Sequence, residues 1–61
     1  MSERTVYFNE YALSNGKGWI VALGPITDFV PITTVDTQKN ARGIVNALRA
    51  VVGQPQLSAI E

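Results

Sequence analysis

The 61-residue chain contains no cysteine and no histidine. Without thiols or imidazoles it has no disulfides, no zinc site built from the usual ligands and no thiol chemistry. Charge is also sparse, because only 16% of the residues are charged and the five basic residues are balanced by five acidic ones. Nonspecific binding to nucleic acid or to an anionic membrane depends on a positive excess, so this balance argues against both.

Long hydrophobic runs are missing as well. No stretch approaches the roughly 20 apolar residues that a membrane-spanning helix needs. The N-terminal sequence MSERTVYF lacks the order of a signal peptide, in which charged residues precede an apolar segment. We therefore expect a protein that does not enter the membrane and that works in the cytoplasm.

What is present is a composition typical of a folded domain, with 46% apolar residues. A chain this short buries only about 60% of its unfolded surface, so its small core gives marginal stability. Small domains gain further stability from disulfides, from metals or from association. Because the ligands for the first two are absent, we expect association with another chain, and neither a metal nor a cofactor.

Three segments have the composition of β-strands, namely residues 5–13, 18–24 and 30–35. The first two flank Asn15-Gly16, a pair that suits a tight turn with positive φ, so they predict a β-hairpin. Gly24-Pro25 ends the second strand. Pro31 has no N–H group to donate, which indicates either an edge strand or a strand start.

A helix is predicted over residues 37–52. Asp36 or Thr37 supplies the N-cap oxygen, and Gly53 with Pro55 forms a stop signal. The apolar residues of this segment recur at helical spacing and form one stripe, made of Ala41, Ile44, Val45, Leu48, Val51 and Val52. The helix is therefore expected to lie with this stripe against the sheet.

The order of elements predicts an α+β fold, a small β-β-β-α domain in which a three-stranded antiparallel meander carries one C-terminal helix on one face. This order resembles that of small units such as the HicB-type antitoxin domain and the arm-binding domain of tyrosine integrases. The resemblance is in element order and includes no specific motif, so it assigns no residue a role. The tail, residues 54–61, either docks through Leu57 and Ile60 or is mobile.

Catalysis without histidine or cysteine would require paired carboxylates, an activated hydroxyl or a lysine of shifted pKa. The acidic residues are scattered along the chain at Glu3, Glu10, Asp28, Asp36 and Glu61. The GKG sequence at 16–18 opens onto a strand rather than a helix N-terminus, which indicates a hairpin turn and not a phosphate cradle. We therefore expect no enzymatic activity. Glu10 either lies at a solvated sheet edge or faces a partner.

Both faces of the first strand carry bulky side chains, although one helix covers only one face of a sheet. Tyr7, Asn9 and Tyr11 share one side of this strand. They are either ordinary exposed strand residues or a protein-binding surface, since tyrosine combines a large apolar area with a polar end and is enriched in binding hot spots.

The helix offers a shallow arc of small residues, Gly43, Ala47 and Ala50, at about 100° per residue. Glycine inside a helix costs about 1 kcal/mol relative to alanine. Either the position tolerates Gly43, or the glycine lets another backbone approach closely. The second interpretation predicts a homodimer in which two such helices pack together.

A polar arc on the same helix contains Lys39, Arg42, Asn46 and Arg49. Such cations are either solvated or able to meet phosphates, with Asn46 near a base edge. The preferred hypothesis is a small non-enzymatic protein-binding module, a homodimer that regulates or inhibits a larger protein, as is common among accessory and bacteriophage-encoded chains. The alternative is a small DNA-binding regulator that uses the basic helix face.

Overall fold

The computed structural model describes residues 6–60 and contains four elements, β1 (Phe8–Ala12), β2 (Trp19–Leu23), β3 (Val30–Val35) and α1 (Gln38–Val51). The strands form one antiparallel sheet in the order β1-β2-β3, and α1 packs against it. This confirms the predicted α+β meander with one C-terminal helix. Thr5, the predicted first residue of strand one, and Glu61, the last residue of the tail, lie outside the described residues.

Within residues 6–60, α1 is too short and too polar to cross a membrane.

The β1–β2 hairpin is closed by a short loop around Asn15 and Gly16. The Leu13 N–H donates to the Gly18 carbonyl at 2.9 Å, and the Gly16 N–H donates to the Leu13 carbonyl at 3.0 Å. Gly16 has a φ of 72°, a left-handed conformation that glycine adopts without a steric penalty. The Asn15 Oδ1 accepts from the Lys17 N–H at 2.9 Å. The hairpin predicted from Asn15-Gly16 is confirmed.

Strand β3 lies at one edge of the sheet, in agreement with the prediction from Pro31. Its pairing with β2 shifts by one residue, because Val21 pairs with Thr33 whereas Ala22 pairs with Pro31, leaving Ile32 without a partner in β2. Such a bulge is typical of an edge strand. The first five residues of β3 are exposed.

The helix begins at the predicted cap. The extended backbone of Thr37 (φ −129°, ψ 151°) precedes α1, and its hydroxyl oxygen accepts from the Asn40 N–H at 3.2 Å. After α1, Gly53 adopts a left-handed φ of 78°. The Gln54 N–H then donates to the Arg49 carbonyl at 2.7 Å, which ends the helix and turns the chain back.

The core between sheet and helix is small. Val21, Ala41 and Val45 are fully buried at its centre, and the partly buried side chains around them are Phe8, Trp19, Val35, Ile44, Leu48 and Leu57. On the other face of the sheet, Ala22 is also fully buried. The fold therefore has few completely buried apolar side chains to stabilise it.

The last two valines of the predicted apolar stripe do not join this core. Val51 is 84% exposed and Val52 is 54% exposed, so that part of the prediction is wrong. The inward position one turn beyond Val45 is held by Arg49, which is buried. Val51 lies two residues, or about 200°, further round the helix and therefore faces away from the sheet.

Candidate interaction surfaces

The C-terminal tail, residues 54–60, is docked on the body of the domain. The side-chain amide of Asn46 makes two hydrogen bonds with the main chain of Leu57, because its Nδ2 donates to the Leu57 carbonyl at 3.0 Å and its Oδ1 accepts from the Leu57 N–H at 2.7 Å. The Leu57 side chain packs on the core. In this structure the tail is docked through Leu57, one of the two residues named for the docked alternative.

Arg42 joins the tail to β1. Its guanidinium donates both to the carboxylate of Glu10 and to the main-chain carbonyl of Ser58. The Glu10 side chain is only 6% exposed, so the expectation of a solvated sheet edge is wrong. Glu10 and Phe8 lie on the helix-facing side of β1. There the Arg42 guanidinium takes the place of the water that would otherwise solvate the charge of Glu10. Within the described residues, the second carboxylate oxygen of Glu10 is buried and has no hydrogen-bond partner.

Arg49 connects three parts of the chain and is only 7% exposed. Its Nε donates to the Phe8 carbonyl at 2.7 Å, one terminal nitrogen donates to the Pro55 carbonyl at 3.0 Å, and the other donates to the Asn9 Oδ1 at 2.8 Å. Its Cζ lies 5.1 Å from the centre of the Tyr7 ring, within the range of a cation–π interaction. The residue ties α1 to β1 and to the tail.

Gln54 occupies the outer edge of β1. Its Nε2 donates to the Val6 carbonyl at 2.7 Å, and its Oε1 accepts from the Phe8 N–H at 3.4 Å. A side-chain amide thus takes hydrogen bonds that a neighbouring strand would make. Together with Arg49, which binds the Phe8 carbonyl, it covers the first half of this edge.

The residues suggested for nucleic-acid binding are therefore brought together around the tail. Arg42, Asn46 and Arg49 hold main-chain groups of residues 55–58, whereas Lys39 is exposed. Helical spacing correctly placed the three on one side of α1, but it carries no information on what lies opposite. Their role could be predicted only from a different requirement. Once Leu57 is buried, the main chain of the tail needs hydrogen-bond partners.

Tyr7, Asn9 and Tyr11, suggested as a protein-binding surface, also make internal contacts. The Asn9 amide donates to the carbonyls of Tyr7 and Gly24 at 3.3 and 3.4 Å, and the Tyr11 hydroxyl donates to the Gly24 carbonyl at 2.5 Å. The Tyr11 ring packs against Phe29 with ring centres 5.3 Å apart. Asn9 and Tyr11 thus hold the β2–β3 loop over this face, and of the three residues only Tyr7 is exposed.

The small-residue arc of α1 lies in the open. Gly43, Ala47 and Ala50 are all exposed, and within residues 6–60 a Cβ added to Gly43 would meet no atom within 4 Å apart from its chain neighbours and the backbone of its own helix. Within the described chain, no element packs closely enough on Gly43 to require a glycine. The arc is available to a second molecule.

Large apolar side chains are exposed at three places in residues 6–60. They are Val6 and Tyr7 just before β1, Ile26, Val30 and Ile32 in the β2–β3 loop and β3, and Val51 and Val52 at and just after the end of α1. The second group, Ile26, Val30 and Ile32, lies in β3 and in the loop that leads into it, and we call it the β3 edge. The apolar patterns of the sequence do not predict this surface, although Pro31 correctly indicates that this strand has a free side.

No group of three or more His, Cys, Asp or Glu side chains suited to a metal ion is found among residues 6–60. Comparison of the chain with protein-family models, with curated proteins and with solved structures finds no match.

Proposed function

We propose that this chain is a non-enzymatic protein-binding module, a cytoplasmic homodimer of the accessory or bacteriophage type that regulates or inhibits a larger protein. The observation that carries the proposal is the distribution of apolar side chains. Four apolar residues are buried in the described chain, whereas the exposed large ones include Ile26, Val30 and Ile32 along the β3 edge. A contact surface of a partner protein would remove such side chains from water.

The β3 edge supports binding by addition of a strand. Free edge strands pair readily with another chain, and natural proteins usually protect them with lysines or other charged residues. The segment from Phe29 to Val35 has no charged residue. Its protective features are Pro31 and the bulge at Ile32, which leave the second half of the strand free to pair.

Affinity capture from the native cell tests this target-binding surface. The bait chains are the wild type, a Val30→Lys/Ile32→Lys variant and a control with the same two charges at exposed positions near the hairpin, Ala12→Lys/Ser14→Lys. We expect the same partner with the wild type and with the control, and its loss with the edge variant. Retention of the partner by the folded edge variant at equal strength would exclude the β3 edge.

The homodimer is supported by the small core and by the exposed arc of Gly43, Ala47 and Ala50. A second copy on this arc would add buried apolar area to a domain that has little of its own. Light scattering should give the mass of two chains for the wild type and of one chain for Gly43→Leu, because a leucine would block close approach. An unchanged dimer mass for Gly43→Leu would mean that the arc is not the interface.

The alternative of a DNA-binding regulator gains no support from these contacts, since Arg42, Asn46 and Arg49 are all engaged within the chain. A gel-shift assay should accordingly detect no binding that weakens with salt. Salt-dependent binding would restore this alternative.

A further inference from the structure

We propose that the docked tail, residues 54–60, is exchanged between the two copies of the dimer. In the exchanged form, the tail of each copy occupies the tail groove of the other, which we define as the surface formed by Arg42, Asn46 and Arg49. The inference rests on the proposed homodimer and specifies how its two chains are joined. The partner is a second copy of this chain, because the tail of this chain is the segment that fits the tail groove.

The tail groove holds the tail through its main-chain groups, and the side chains that do so belong to α1. Asn46 pairs with both main-chain groups of Leu57, and the two arginines donate to the main-chain carbonyls of Ser58 and Pro55. The Leu57 side chain completes the contact by packing on the core. None of these interactions depends on which chain supplies the tail, so an exchanged dimer retains all of them.

The connection between helix and tail is short enough to act as a hinge. Helix α1 ends at Val51, and Gln54 already contacts β1, so the chain reverses over Val52 and Gly53. The reversal depends on the left-handed φ of 78° at Gly53. Opening at this glycine would direct the tail away from its own groove, and exchange of an identical element between protomers is a low-cost route to a dimer.

The residues beside the hinge provide a second, independent observation. Val51 and Val52 are the last residues of the helix and its cap, and they are 84% and 54% exposed although both are apolar. Reciprocal exchange requires the two hinges to lie next to each other across the twofold axis. The valines of one copy would then be covered by those of the other, which gives them the burial that the single chain does not provide.

Complementation between two full-length variants tests the exchange. Leu57→Asp has an intact groove and a defective tail, whereas Asn46→Ala has an intact tail and a defective groove. Circular dichroism and thermal unfolding establish that each is folded. Each variant alone should have the mass of one chain, and their equimolar mixture should give a heterodimer of one chain of each kind in native mass spectrometry.

The matched control replaces the Asn46→Ala chain by a chain that carries both substitutions. A mixture of Leu57→Asp with Leu57→Asp/Asn46→Ala contains no intact tail, so we expect no heterodimer. If the wild type is a dimer and each single variant is also a dimer, the chains associate without exchange and this inference is wrong while the homodimer stands. If the wild type is a single chain at every concentration tested, both proposals are wrong.

A measurement on the wild type covers the case in which Leu57→Asp does not fold. Isotopically labelled and unlabelled wild-type chains are unfolded together and refolded, and isotope-filtered NOEs are recorded on the mixed dimer. Exchange predicts an NOE between the Asn46 side-chain amide of one chain and Leu57 of the other. If the dimer is present and this NOE arises only within a chain, the tails are not exchanged.

Discussion

At the scale of single residues, the polar side chains of α1 stabilise the fold by binding main-chain carbonyls. Arg42 and Arg49 each use more than one nitrogen, and each reaches both β1 and the tail. The planar fork of arginine suits this role because its donors point in several fixed directions. In a domain with so small an apolar core, such bonds account for a larger share of the stability than they would in a larger protein.

Replacing Arg49 with methionine should lower the free energy of unfolding by about 2 kcal/mol, because the carbonyls of Phe8 and Pro55 and the amide oxygen of Asn9 lose a charged donor. Urea unfolding at equal protein concentration measures the change. Lys39→Met removes a cation from an exposed position of the same helix and should change stability by less than about 0.5 kcal/mol. Equal effects of the two substitutions would contradict the assigned role of Arg49.

The ion pair of Glu10 and Arg42 should behave as a coupled unit. Arg42→Leu leaves the mostly buried Glu10 carboxylate without its cation and should destabilise the fold by about 3 kcal/mol. The double variant Glu10→Leu/Arg42→Leu removes the stranded charge as well, so we expect it to unfold within about 1 kcal/mol of the wild type. A double variant whose loss of stability equals the sum of the losses of Glu10→Leu and Arg42→Leu, each measured alone, would show that the pair is not coupled.

At the scale of secondary-structure elements, the sequence predicted what local signals determine. The cap at Thr37, the turn at Gly16 and the stop at Gly53 each act on their immediate neighbours, so their positions follow from residue type. The orientation of the last helical turn does not follow from residue type. It depends on Arg49 finding acceptors on β1 and the tail, and apolar periodicity contains no term for such long-range contacts.

Two glycines of the helical region should respond oppositely to alanine. Gly43 lies in α1, and no other part of the described chain comes within 4 Å of the added Cβ, so Gly43→Ala should stabilise the single chain by about 1 kcal/mol through helix propensity. Gly53 has a left-handed φ of 78°, so Gly53→Ala should destabilise it by about 1 kcal/mol. Thermal and urea unfolding of dilute samples provide both values. A loss of stability in Gly43→Ala would indicate a packing role for this glycine within one chain.

At the scale of the whole molecule, the fold class was predictable and the surfaces were not. The class follows from three strand segments and one helical period. The covering of Tyr11 by the β2–β3 loop and the docking of the tail depend on irregular segments, in which no repeat relates sequence to position. These segments change which residues are exposed, and for this reason the candidate surface moves from Tyr11 to the β3 edge.

Gln54, whose amide occupies the first half of the outer side of β1 beside Arg49, bears on how far the sheet can grow. An open-ended fibre requires two adhesive edges on each molecule, whereas a molecule with one such edge stops after a single addition. Gln54→Ala should therefore convert a finite particle into one that polymerises, seen as thioflavin T fluorescence and pelletable material. Gln56→Ala, an exposed change in the same tail, should not. We therefore expect the Gln54 side chain, which caps the first half of β1, to limit strand addition at this edge of the sheet.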